Sequence, residues 1–69
     1  MVKYIRLIDE YSGEEIAVNC DKILMIQDVT ERTLYPNTVR HRCRIDIEDH
    51  ESITVLSNYE VLVDVLNKE

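Results

Sequence analysis

Sixty-nine residues, 45% hydrophobic and 32% charged, are expected to fold as one small domain. No run approaches the ~20 apolar residues of a membrane span. The net charge of −6 argues against general nucleic-acid or membrane binding, which calls for an excess of Lys and Arg.

With no Trp and no Phe, the core must come from Ile, Leu, Val and the four tyrosines. A chain of this length buries only about 60% of the surface its unfolded form exposes, so support from a second subunit is expected. The opening MVKYIRLIDEY has no apolar h-region and no cleavage site, and the two cysteines, Cys20 and Cys43, do not make a disulfide framework. A cytoplasmic protein with free thiols is the expectation. The acids are scattered, which reads as a means of solubility, with DNA mimicry as the alternative.

Residues 2–8 are read as the first strand, apolar on both faces, with Ile5 and Leu7 sharing one of them. Residues 9–15 turn about Ser12-Gly13, since glycine takes up positive φ without strain. The second strand, 16–19, points Ile16 and Val18 inward, and Asn19 or Asp21 leads a short polar step. The third strand, 23–29, again has apolar residues on both parities, so either both faces are buried or a bulge shifts the register.

Residues 30–38, TERTLYPNT, read as a long connection broken by Pro36-Asn37. Leu34 and Tyr35 at its tip either fold back onto the sheet edge or present a contact. The fourth strand, 39–48, alternates strictly and is taken as the central one: Val39, His41, Cys43, Ile45 and Ile47 point inward, Arg40, Arg42, Arg44, Asp46 and Glu48 outward. The fifth strand, 52–56, points Ile53 and Val55 inward.

A C-terminal helix over 58–67 follows from a capping box, Ser57 with Glu60, and from the clustering of Tyr59, Leu62, Val63 and Leu66 at 100° per residue. Val61 and Val65 widen the apolar arc to about 200°, beyond the ~100° that one packed face needs, and are read as a dimer interface. The predicted fold is α+β: a small antiparallel five-stranded sheet or partly open barrel with one C-terminal amphipathic helix.

The sequence holds no GxSxG, no phosphate-cradling glycine loop and no HExxH, and no enzyme is predicted. A thiol nucleophile would have to be Cys20 or Cys43 with His41 or His50 as base, yet Cys43 and His41 fall on the predicted inward face, where both are ordinary core occupants. His41, Cys43 and Cys20 lack the paired spacing of a zinc site, so no metal and no cofactor is expected. Arg40, Arg42 and Arg44 stand about 7 Å apart on one wet face. They either dock a phosphate, a nucleic acid or an acidic surface, or pair at home with cross-strand acids such as Glu14, Glu15, Asp28 or Glu51.

The chain also resembles the small FlbD-type proteins of flagellar and swarming-motility operons. The residues that carry the likeness are Arg6-Leu7, Gly13, Val18-Asn19, Asp21 with Ile23 and Ile26, Pro36-Asn37-Thr38 before Val39, and Val55, Ser57, Glu60-Val61 and Val65-Leu66. It departs in a longer first turn, an insertion over 30–35, and Glu48 to Glu51 where the family has a glycine. The resemblance implies a compact sheet-plus-helix fold and no catalytic residues.

The functional expectation is a non-catalytic cytoplasmic protein-binding regulator of bacterial or phage type, for example an inhibitor of a host complex. It would be a homodimer that contacts its partner through Arg40, Arg42, Arg44, Leu34 and Tyr35. A nucleic-acid-associated regulator using the arginine face, and a motility-operon accessory protein, are the alternatives.

Overall fold

Seven short strands and one helix, seen in a computed structural model that describes residues 3–68, replace the five strands expected. They form three small antiparallel sheets and not one five-stranded sheet or barrel. In the first, β1 (Tyr4–Ile8) pairs β2 (Glu15–Asn19). In the second, β6 (Cys43–Ile47) lies between β3 (Ile23–Asp28) and β7 (Ile53–Val55). The third is a separate hairpin of β4 (Glu31–Thr33) and β5 (Thr38–Arg40). Helix α1 (Tyr59–Asn67) closes the described chain, and residue 2 of the expected first strand lies outside it.

The first two sheets are joined by backbone contacts. Asp9 bridges Val55, the Leu56 N–H donates to the Ile8 carbonyl at 2.9 Å, and the Glu10 N–H donates to the Thr54 carbonyl at 2.9 Å. Gly13 turns the first hairpin at φ +74, where a side chain would be strained. Asn19 caps the 3-10 helix Cys20–Lys22 by accepting from the Asp21 N–H.

The core lies between these sheets and α1. Cys43, Ile45, Val55 and Leu62 are sealed from solvent, Leu7 and Val18 nearly so, and Ile5, Ile16, Ile26, Tyr59 and Leu66 pack against them. The inward residues expected of the first, second and fifth strands are thus on the buried side. The outer sides of β1 and β3 are open, however: Tyr4, Leu24 and Met25 are exposed. For β3 the reason is a register shift between Ile23 and Met25, a bulge that turns part of the apolar run away from the core.

Two local expectations are corrected. The helix is capped by Asn58, whose side-chain oxygen accepts from the Glu60 and Val61 N–H groups. Starting one residue later, α1 has Val61 and not Glu60 at its third position, so the Ser57–Glu60 box does not form. The strand expected over 39–48 is two strands broken at His41-Arg42.

Candidate functional site

The break at His41-Arg42 separates the body of the molecule from an arm. β4 and β5 pair in the register Glu31↔Arg40, Arg32↔Val39 and Thr33↔Thr38, with a turn over 34–37. The nine-residue connection therefore contains β4 and the first residue of β5. A charge pair and a threonine pair facing across Pro36-Asn37 are the sequence features that could have revealed them. All six strand residues of the arm are exposed. At the tip Leu34 is 78% and Tyr35 92% exposed, so neither folds back onto a sheet.

Polar contacts hold the base of the arm. Asp28 Oδ1 accepts from the Thr30 N–H at 3.1 Å and from the Thr30 hydroxyl at 2.5 Å. These bonds, chiefly the hydroxyl's, hold the Asp28 carboxyl below its ordinary pKa. The Val29 N–H donates to the Arg42 carbonyl at 3.1 Å.

Arg42 is the central fastener. One terminal nitrogen donates to Glu10 Oε2 at 2.9 Å and the other to Glu31 Oε1. Its Nε lies 2.8 Å from Glu10 Oε1, but the N–H is buried and out of line for a hydrogen bond, so that contact is ionic. The bond to Glu10 raises the guanidinium pKa further, which keeps the charge fixed. Glu10 belongs to the first hairpin's turn, so Arg42 ties the arm to the body.

Its neighbours pair more loosely. Arg40 Nη2 is 3.8 Å from Glu10, and Arg44 Nε is 3.6 Å from Asp46, with its Nη2 donating to the Ser52 hydroxyl at 3.4 Å. Each such exposed pair contributes at most about 1 kcal/mol. The partners are Glu10, Glu31 and Asp46 and not the cross-strand acids expected: Glu15 instead faces Arg6 at 3.6 Å, and Asp28 is held by Thr30. Arg42, expected on the wet face, is the most covered of the three. Arg32 makes no ion pair among the described residues.

The chemical candidates are not brought together. Cys43 is buried, as expected, and its thiol donates to the Ser57 carbonyl at 3.3 Å. Burial, reinforced by the Asp28 charge, pushes that thiol's pKa up, away from the reactive thiolate. His41, expected inward, is exposed, because the strand break releases it from the parity of Cys43. His50 Nδ1 lies 2.8 Å from the Glu51 carbonyl in the β6–β7 turn. Among the described residues no group of three or more His, Cys, Asp or Glu is placed to hold a metal. No described helix is long and apolar enough to cross a membrane.

Val61 and Val65 are exposed on one flank of α1. Tyr59, Val63 and Leu66 occupy the other flank and line a groove against β3. No protein-family model, curated protein or solved structure matches this chain.

Proposed function

We propose that this chain is a non-catalytic protein-binding regulator that engages its partner with the β4–β5 hairpin. The observation that carries the reading is the solvent-exposed arm with Leu34 and Tyr35 bare at its tip. Aromatic and large aliphatic side chains anchor protein interfaces when they enter a pocket on the partner, and a tyrosine does so at low entropic cost. The arm is also the basic part of an acidic chain, with Arg32 and Arg40 against Glu31. The partner surface that suits it is acidic around an apolar cleft, as on a host regulatory complex that a bacterial or phage inhibitor would occupy. The engagement of Arg42 and Arg44 at home weighs against the nucleic-acid alternative.

Affinity capture from the native host tests this, with wild type beside a Leu34→Ser/Tyr35→Ser variant and an Arg44→Glu variant. The tip variant is expected to lose its partner by tenfold or more, the order of an anchor's contribution. Arg44→Glu should retain it. A captured partner held equally by wild type and the tip variant overturns the reading.

A further inference from the structure

We propose that the outer edge of β2 is a second docking site, which takes an extended peptide segment of a partner as an added strand. The inference is independent of the hairpin reading.

β2 has one neighbour, β1, and their register runs without a shift from Tyr4↔Asn19 to Ile8↔Glu15. Two bonds at the ends of this ladder fix its alternation. The Asp9 N–H donates to the Glu14 carbonyl and the Cys20 N–H to the Lys3 carbonyl, both at 2.9 Å. Antiparallel pairs alternate, so Ile16 and Val18 turn their backbone groups to β1, while Glu15 and Ala17 turn theirs outward. The Ile8 carbonyl obeys the same alternation, since it points away from β2 and accepts from Leu56. Among the described residues no hydrogen bond reaches the outward groups of Ala17. Natural edges are blunted by charges or proline, and Ile16-Ala17-Val18 contains neither.

An apolar groove of about 390 Å³ lies along this edge, within the ~300–1,000 Å³ of ligand clefts. Four consecutive residues, Ile16 to Asn19, line it, so it meets the edge of the strand and not one face. Ile47 and Ile53, both half-buried, line it from the second sheet. A segment laid antiparallel on β2, with its middle residue opposite Ala17, bonds the free backbone there. The residues on either side of that one then oppose Ile16 and Val18 and point to the same side of the sheet, toward Ile47 and Ile53. The occupant therefore carries apolar residues at alternate positions. Charges at the two ends of the groove set its direction. Asp9, joined to Glu14 at the start of β2, has one carboxylate oxygen engaged by Ser12. Lys22, beyond the other end, is held by a 3.6 Å exposed contact with Glu48. An antiparallel segment that reads acid–apolar–any–apolar–base meets both. The β2 strand of a second copy does not fit, because its Ile16 and Val18 are committed to their own core and bring no side chain to the groove.

Selection from a displayed library of random linear peptides, with the full chain immobilised, tests the proposal. Enriched peptides should share the acid–apolar–any–apolar–base pattern. Adding one of them should slow exchange of the Ala17 amide by about tenfold or more, and change the Ile16 and Val18 amides, already in the ladder, much less. Ala17→Pro removes the outward N–H and leaves the β1 ladder intact, so it should weaken the peptide by about tenfold. Ala17→Ser keeps that N–H and should bind as wild type does. The exchange measurement is made on wild type, so it decides the matter even if Ala17→Pro fails to fold. The Leu34→Ser/Tyr35→Ser variant should also bind the peptide as wild type does; loss of binding there would move the peptide to the hairpin and overturn the proposal. Failure to enrich any peptide, or enrichment of peptides that leave Ala17 exchange unchanged, overturns it too. So does a concentration-dependent dimer that protects the Ala17 amide, which would place a second copy on the edge.

Discussion

The body of the molecule and its arm are built from adjoining pieces of one alternating stretch, yet they are held by different forces. In the body, Cys43 and Ile45 of β6 are sealed beneath Leu62 of α1 and beside Val55 of β7. In the arm, Val39 of β5 has the same parity and the same apolar character, and it is exposed. Alternation shows that a strand has an apolar side; a second layer must still arrive to cover it. Leu62 of α1 packs in the cluster of Cys43 and Ile45, whereas Thr38, Val39 and Arg40 of β5 are exposed. The body is therefore stabilised by apolar burial, and the arm by polar fastening at its base through Asp28, Thr30, Arg42 and Glu10.

Truncation of each region should break this comparison most sharply. Leu62→Ala and Ile45→Ala leave cavities in a fully buried cluster and are expected to cost about 2–5 kcal/mol each. Against a total stability of roughly 5–15 kcal/mol for an ordinary domain, either loss brings this small one near unfolding. Leu34→Ala and Tyr35→Ala should change stability by no more than about 0.5 kcal/mol, as exposed substitutions do. Denaturant midpoints measured on the four variants decide it. A tip truncation costing more than a core one would mean that the arm packs on the body.

Next in size are the turns of the body. Gly13→Ala should destabilise by about 1–2 kcal/mol, the cost of a left-handed residue with a Cβ. Nothing lies within 4 Å of the added atom at φ +74, so the whole cost is backbone strain. Asp49 sits at φ +58 in the β6–β7 turn, a conformation that glycine takes up without strain, and Asp49→Gly should be neutral or mildly stabilising. Asn58→Ala should cost about 1 kcal/mol through the lost helix cap, while Ser57→Ala should cost less. Thermal melts of the four proteins rank them.

The parts legible in the sequence were those where a local pattern met a covering layer. Ile5 and Leu7, Ile16 and Val18, Ile53 and Val55, and the Leu62 face of α1 lie on the buried side that periodicity assigned them. The failures share a cause, which is that long-range partners set the result. His41 and Arg42 read as members of one strand, because nothing local shows that Glu10, thirty-two residues away, draws the guanidinium inward. Ser57 and Glu60 match a capping box, but Asn58 is the stronger cap and shifts the helix start by one. The β4–β5 hairpin was hidden because its arms are too short and polar to show a strand period, although Pro36-Asn37 marked its turn.

The smallest predicted effects separate the two fastenings. Arg42→Gln removes the charge that links Glu31 of the arm to Glu10 of the body, and should speed amide exchange over 30–41 while leaving the β6–β7 amides protected. Acid should act on the same base through Asp28. Its carboxyl accepts two bonds from Thr30 when folded and has a lowered pKa, so below pH 4 the unfolded chain binds the proton more readily than the folded one. The stabilisation is fully present above the ordinary carboxylate range and is lost as pH falls through the lowered value. His41 and Arg32, lesser causes of the lowering, act in the same direction as the Thr30 bonds. The Thr30 amide should therefore begin to exchange faster in acid, and Asp28→Asn should remove that acid dependence without changing exchange in β6. If β6 opens with the same pH profile as Thr30, arm and body are one cooperative unit. The distinction between apolar and polar fastening then fails, because a base held only by polar groups should release before the Leu62 core does.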